Sequence, residues 1–481
     1  MKTITRDLSL LMDFYQLTMA NGYFKDGLKD QEVIFEMFFR RVPDGGGFAI
    51  MCGLQQVIEY INHLTFTDED ITFLRNKHLF DEAFLEYLKN FKCTLDIYAF
   101  KEGTPIFPNE PIIKVVGSII QAQLIETMIL LTVNHQSLIA TKANRIVRSA
   151  EGKVVMEFGA RRAHGYDAAL YGARAAYIGG VNSSANVLSD KLFDIPSVGT
   201  MAHSFVQLYP DEYTAFKKYC WMYPNNASLL VDTYNVLKSG VPNAILVAKE
   251  VLHPMGQRLK SIRLDSGDLT YLSKKARKML DQAGMQDCKI IVSNSLDEYM
   301  IQSLLIQGAC IDYFGVGERL ISAKSEPVFG GVYKIAAVKE NGKFEPRIKI
   351  SENIEKITTP ADKEVYRLYD ENHKAIADVL TLKDEVIDTS KPYTIFDPIS
   401  TWKRKELVNF TVEPMLVPIF IKGKQVYQSP SVSEIREYCI QQVQTLWEES
   451  LRFENPHNYY VDLSKPLWDL KQELLESKNQ R

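Results

Sequence analysis

SIRLDSGD, residues 261–268, carries three instructions in eight positions. Ser261 to Leu264 is a short run of strand character, with Arg263 set among apolar neighbours. Asp265-Ser266-Gly267-Asp268 is a tight acidic turn, and Asp268 reads as the N-cap of the helix that follows. Arg263 and Asp265 are two residues apart, so a strand turns both toward one face. A buried arginine in a strand needs an anionic partner.

The same unit recurs on both sides. Lys153–Phe158 (KVVMEF) leads into Gly159, Arg161 and Arg162, and Ser228–Val231 (SLLV) into Asp232-Thr233-Tyr234. Lys289–Val292 (KIIV) leads into Ser293-Asn294, and Ile311–Val316 (IDYFGV) into Gly317-Glu318-Arg319. Ala176–Gly179 and Val198–Met201 are further short runs of this kind. Strand then helix, repeated, predicts a parallel sheet with right-handed crossovers. Polar residues gather where these runs end. In α/β barrels the active site sits at the carboxyl ends of the strands. An open doubly wound sheet also binds ligands there, so the pattern fixes the site more firmly than the closure.

Toward the N-terminus, residues 7–24 have helical spacing, Gln31–Arg40 alternates as a strand, and PDGGG at 43–47 is a turn. Leu54–Leu64, Asp68–Phe91 and Gln121–Arg148 read as helices, with a small sheet between Thr94 and Val116. After about residue 345 the pattern weakens. Lys349–Thr358, Glu364–Val379 and Pro392–Leu407 suggest strands and turns, and Ser431–Glu454 and Leu463–Lys478 suggest helices. This last part reads as a layer packing with the N-terminal region.

The 481 residues are 46% hydrophobic and 24% charged, ordinary for a chain with a large buried core. A formal charge of −4 gives no sign of a nucleic-acid or acidic-membrane partner. Six scattered cysteines without a CxxC argue against structural zinc or a disulfide framework and fit a reducing cytoplasm. Arg6, Asp7 and Asp13 interrupt the first apolar run, so no signal peptide is expected, nor any membrane span.

Several residues offer chemistry. His203 stands at the start of a predicted helix, where free N–H groups suit phosphate and an imidazole can act as base or nucleophile. Taken alone, a histidine satisfied by a backbone carbonyl is the stronger reading. Asp265 and Asp268 can hold ribose hydroxyls or a Mg²⁺ on a pyrophosphate, or serve the turn and the cap. Gly315-Val316-Gly317 can cradle a phosphate with backbone N–H groups, or be a plain turn. No Walker loop is present. Phe158 and Tyr15 can stack on a flat ring, or be core. For Arg162 a structural ion pair between strands is the preferred reading.

An ordered set of segments resembles the nicotinate phosphoribosyltransferase family. These are DFYQLTMANGYF (13–24), FFRRVPDGGGFAIMCGL (38–54), EFGARRAHG (157–165), GGVNSSANV (179–187), GTMAHSF (199–205), LLVDTYNV (229–236), IRLDSGDL (262–269), VSNSLDE (292–298), FGVGERL (314–320) and GGVYKIAAV (330–338). The resemblance implies an irregular TIM-like α/β barrel and a second α+β domain built from the N- and C-terminal segments. The expected divisions are 1–135, 136–345 for the barrel, and 346–481. It implies a cytoplasmic homodimer with shared active sites, acting on nicotinate and phosphoribosyl pyrophosphate (PRPP). The products would be nicotinate mononucleotide and pyrophosphate, in NAD salvage, with ATP as co-substrate and Mg²⁺ as cofactor.

By motif, His203 would carry a phosphoryl group. Phe158 would stack on the pyridine ring, with Tyr15 from the partner subunit opposite. Arg263 and Thr200 would meet the nicotinate carboxylate. Asp265 would bind ribose hydroxyls, with Asp232 nearby for ribose, and both would serve Mg²⁺ mainly through PRPP. Gly317 and its neighbours would hold the 5′-phosphate, and Arg161 would contact PRPP, with Arg40 or Arg41 reaching across the dimer. Ser204 and Asn294 complete the expected substrate-binding set. Where many relatives carry a hydroxyl residue after GxG, this chain has Glu318, whose acid should turn away from a phosphate. The segment Gly180-Val181-Asn182-Ser183 lacks the aspartate expected of nicotinamide phosphoribosyltransferases, the nearest alternative. Quinolinate phosphoribosyltransferase would need neither ATP nor the histidine, and a non-catalytic nucleotide-binding protein would not need the full polar set.

Overall fold

The computed structural model describes residues 6–479. Residues 1–5, counted above with the N-terminal segment, and residues 480–481 lie outside the described residues. The chain forms two compact units, one of Ile139–Pro327, the other of the segments on either side.

The first unit is built on a six-stranded parallel sheet. Its order is Ser183–Ser184, Val154–Glu157, Tyr313–Val316, Lys289–Asn294, Ser261–Leu264 and Ser228–Leu230. Every neighbouring pair is parallel. Strands buried on both faces read as short apolar runs, which is why KVVM, SLL and KIIV were legible. Among the described residues no ladder joins the two edge strands, so a closed barrel is not formed by hydrogen bonds. Instead Ser197 bridges to Ser184 at one edge. The chain then runs to His203, whose ring meets Asp232 just beyond the strand at the other edge.

The helix Leu269–Gln282 starts where the acidic turn predicts: Asp268 Oδ1 accepts from Tyr271 N at 2.9 Å. Gly267 reaches φ +83°, a left-handed turn that glycine adopts without strain.

Among the described residues the second unit has two larger sheets and two small two-stranded ones. A seven-stranded antiparallel sheet places Glu32–Phe38 between Val332–Glu340 and Ile113–Ser118, so the segments before and after the first unit in the chain share one sheet. The four-stranded sheet contains Lys363–Tyr369 paired with Ala375–Leu382, and the latter runs parallel to Tyr460–Leu463. Arg367 is completely buried in it, and its guanidinium holds Asp378 at 2.8 and 2.7 Å. Lys114, also buried, reaches Asp362 at 3.0 Å and Glu364 at 2.9 Å, tying the two sheets together.

Several elements differ from the sequence reading. Ala176–Gly179 is not a strand but the end of the helix Tyr166–Ile178. Val198–Met201 is irregular apart from the neighbouring Ser197 bridge. The first helix is Phe14–Lys25, because Asp13 begins it with its N–H on Gln16 Oε1 at 2.8 Å. Asp68–Phe91 divides into Asp68–Arg75 and Glu82–Lys89, with His78 at positive φ between them. Lys349–Thr358 holds only the short turn Ile354–Lys356.

Candidate active site

Strand ends of the first unit surround a cavity of ≈ 440 Å³. Phe158, Arg263, Asp265, Ser293, Gly315 and Gly317 line it from the sheet, and Thr200 and His203 from the segment between the edges. Three arginines and a histidine face two acids here, Asp265 and Glu318. The excess of cationic groups suits an anionic ligand.

Arg263 is the hub. Its strand holds it 15% exposed, and its N–H groups reach three partners. Nε donates to Ser293 Oγ at 2.8 Å, Nη1 to Thr200 Oγ1 at 3.1 Å and Nη2 to Asp265 Oδ1 at 2.8 Å. A guanidinium has five donors, so N–H groups remain for a planar carboxylate. Burial pushes the Asp265 carboxyl up. Hydrogen bonds from Ser293 and Arg263, with the Arg263 charge, more than offset this and hold it below the usual carboxylate range.

Behind this wall lies Asp232, its side chain 1% exposed. One oxygen faces His203 Nε2 at 3.2 Å. The other accepts from Asp265 N at 2.9 Å and Ser266 Oγ at 2.7 Å. A carboxylate only accepts, so Asp232 places the histidine proton on Nε2 and leaves Nδ1 as the nitrogen with a free lone pair.

The Phe158 ring lies on backbone. An added Cβ on Gly315 would stand 2.7 and 2.8 Å from two of its ring carbons, so only glycine lets the ring lie there. Arg263 stands 5.7 Å from the ring centroid. The turn that follows hangs on Glu157, a fully buried acid. Its carboxylate accepts from Ser184 Oγ at 2.6 Å and from the N–H of Gly159. Burial pushes its carboxyl up, against those two hydrogen bonds.

Of the expected residues, His203, Asp265, Arg263, Phe158, Arg161, Thr200, Asn294, Gly317 and Glu318 line this one cavity, with Asp232 directly behind. Ser204 is exposed on the helix His203–Gln207, outside the lining. Tyr15 and Arg40 belong to the second unit. Tyr15 is 45% exposed, and Arg40 donates Nε to the Glu355 carbonyl at 3.0 Å. Arg162 corrects the sequence reading. It is not an ion pair between strands but an exposed cavity residue on the turn Ala160–Arg162. Glu318 is among the residues that line the cavity. Its carboxylate meets Lys324 at 3.0 Å and Ser295 at 3.4 Å, and the Lys324 hydrogen bond and charge hold it below the usual range.

Glu157 carries no mark in the sequence, Ser293 stands out there only at the end of its strand, and Gly315, read there as part of a phosphate-cradling turn, also admits the Phe158 ring. Asn294, next to Ser293, takes φ +118°, an unusual backbone for a non-glycine residue and a mark of strain at the site.

Three family profiles match the chain in order. They are the nicotinate phosphoribosyltransferase N-terminal domain at residues 10–134, the family's main domain at 154–374 and its C-terminal domain at 362–471. A relative in Bacillus subtilis named nicotinate phosphoribosyltransferase is 47% identical over 98% of this chain and 96% of its own length. The chain belongs to the nicotinate phosphoribosyltransferase family. Members of this family are enzymes, and so is this chain. The crystal structure of human nicotinic acid phosphoribosyltransferase superposes with a TM-score of 0.84 at 30% identity, covering 97% of this chain and all of that one. A nicotinate-nucleotide pyrophosphorylase from Pyrococcus furiosus shares the fold, with a TM-score of 0.70 at 24% identity over 92% of this chain and 98% of that one. Among the described residues no helix is long and apolar enough to cross a membrane.

Proposed function

We propose that the chain transfers the phosphoribosyl group of PRPP to nicotinate, giving nicotinate mononucleotide and pyrophosphate for NAD salvage in the cytoplasm. Hydrolysis of ATP, through phosphorylation of His203, drives the transfer. One observation carries the reading: an aromatic ring, a partly satisfied arginine, a hydrogen-bonded aspartate and an oriented histidine share one cavity.

Phe158 stacks on the pyridine ring, and Arg263 with Thr200 receives the carboxylate in the ring plane. Nicotinamide offers no charge to Arg263, which favours the acid. Asp265 holds ribose hydroxyls, and the N–H groups at Gly317 hold the 5′-phosphate. Arg161 and Arg162 face the leaving pyrophosphate, where charge builds as the ribose C1–O bond breaks and the pyridine nitrogen bonds to C1. Nδ1 of His203 takes the γ-phosphoryl group of ATP, releasing ADP. That adds a charge of about −1.5 to −2 beside the pyrophosphate. Tyr15 and Arg40 are assigned to the neighbouring active site of a homodimer. Closure of the sheet into an irregular barrel, through the segment before His203, belongs to the same proposal.

Among the described residues no group of three or more His, Cys, Asp and Glu side chains is arranged to hold a metal. Asp265, at the cavity wall, and Asp232 behind it are the acids nearest to where a Mg²⁺ held mainly by PRPP would lie, and that ion would neutralise the leaving group.

The test is pyrophosphate release from PRPP with Mg²⁺, nicotinate or nicotinamide, and with or without ATP. Turnover with nicotinate, raised by ATP, is expected, and His203→Ala should lose the ATP effect first. A preference for nicotinamide, or full ATP stimulation in His203→Ala, overturns the proposal.

A further inference from the structure

The second unit contains a cavity of its own, of ≈ 320 Å³. Its base is polar. Lys363, fully buried, donates to the carbonyls of Thr359 at 2.8 Å and Ala361 at 3.0 Å and pairs with Glu36 Oε2 at 2.9 Å. Glu36 is 4% exposed, and its other oxygen, Oε1, is buried without a hydrogen-bond partner. Lys471 enters from the C-terminal helix and meets Thr359 Oγ1 at 3.2 Å. Among the described residues no carboxylate pairs with it, so an ammonium with three donors has one protein partner.

The wall is apolar and fixed. Trp468 lines it, with its indole N–H held by the Pro398 carbonyl at 3.0 Å and Phe396 edge-on at 6.1 Å. Leu463 and Leu475 extend this surface, and Arg40 also lines the cavity. A buried acceptor without a donor and a half-buried ammonium without an anion are both costly, and one ligand can satisfy both.

We propose that this cavity binds a small organic acid that carries a hydrogen-bond donor beside its carboxylate and an apolar or aromatic body. The carboxylate lies on Lys471, the donor on Glu36 Oε1 and the body against Trp468. An α-hydroxy acid and an α-amino acid share this chemistry. Burial and the charge of Lys363 lower the Lys471 ammonium to about 8, which is the state of a cation waiting for a counter-ion.

The test is calorimetric titration of the whole protein with 3-phenyllactate, phenylalanine, 3-phenylpropionate and inorganic phosphate. Either of the first two is expected to bind, several-fold more tightly than 3-phenylpropionate, which lacks the donor. Lys471→Met should weaken binding roughly tenfold or more, as for loss of a charged hydrogen bond. Leu475→Trp should block binding by filling the cavity without touching its charges, with folding checked by circular dichroism. His203→Ala should bind as the parent does. Binding of neither donor-bearing acid, equal binding in Lys471→Met, or binding of inorganic phosphate alone overturns the proposal. No outcome depends on turnover, so the catalytic reading stands or falls separately.

Discussion

Replacing Gly315 by alanine tests the stacking surface with a single methyl group. The new Cβ would meet two Phe158 ring carbons at 2.7 and 2.8 Å. Carbon atoms pack best at about 3.5–4.0 Å, so the ring must retreat by roughly 0.7–1.3 Å. Its own backbone cannot follow, because Phe158 N is held by the Val316 carbonyl at 2.7 Å and Gly159 N by Glu157. The side chain therefore rotates out of its place over the floor of the cavity. A misplacement of about 1 Å near reacting groups can cost ~10²-fold in rate. We expect kcat/KM for nicotinate to fall by about that factor, mostly through KM. Overpacking should cost about 1–3 kcal/mol of stability, leaving the protein folded. Phosphorylation of His203 by ATP should persist, since its geometry rests on Asp232. Steady-state kinetics with varied nicotinate, alongside a radiolabelled ATP assay, reads both. A folded Gly315→Ala protein with kcat/KM within twofold of the parent would refute the stacking role of Phe158.

Three further predictions concern other parts of the molecule. Asp232→Asn removes the charge that places the proton on His203 Nε2, and loss of a charged hydrogen bond costs about 1.5–3 kcal/mol. ATP stimulation and phosphohistidine yield should fall at least tenfold, while ATP-independent turnover changes less. Arg263→Lys replaces a fork with a point charge; KM for nicotinate should rise on the order of 10²-fold, with kcat less affected. An unchanged KM would remove Arg263 from carboxylate binding. Asp462 is buried, and that burial, with the charge of Asp397, raises its carboxyl to about 7. A raised carboxyl leaves stability intact below the unfolded value near 4 and removes it as pH climbs toward 7. Asp462→Asn should therefore stabilise the protein at pH 8, by up to about 4 kcal/mol, and change little at pH 4. Denaturant melts at the two pH values check the sign.

The sequence carried the site because strand periodicity is short-range and strict. Arg263 and Asp265 share a face at a spacing of two, and the structure pairs them at 2.8 Å. Asp268 as cap was legible for the same reason. Ala176–Gly179 misled because four buried apolar residues fit a helix end as well as a strand, and only the length of the element decides. Arg162 misled because arginine after a strand signals an anion without saying whether protein or ligand supplies it. Gly315 is marked only as part of a Gly-Val-Gly turn, and Glu157 carries no local mark at all. One matters for the atom it lacks opposite a ring, the other for a turn that it pins from below.

Asp265 shows why these residues act as one assembly. Its oxygen receives Arg263 and Ser293, and its backbone N–H is fixed by Asp232, the same carboxylate that orients His203. Arg263, Asp265 and His203, to which the proposal assigns carboxylate, sugar and phosphoryl group, are thus linked through two aspartates that follow neighbouring strands, Ser228–Leu230 and Ser261–Leu264. Neutral substitutions at 232 and 265 should then be non-additive, because each removes part of what holds the other in place. A double variant no worse than Asp232→Asn alone is the expected result in the ATP-stimulated assay. Strictly multiplicative losses would mean that the two carboxylates act independently, and that the shared hydrogen bond at 2.9 Å transmits nothing.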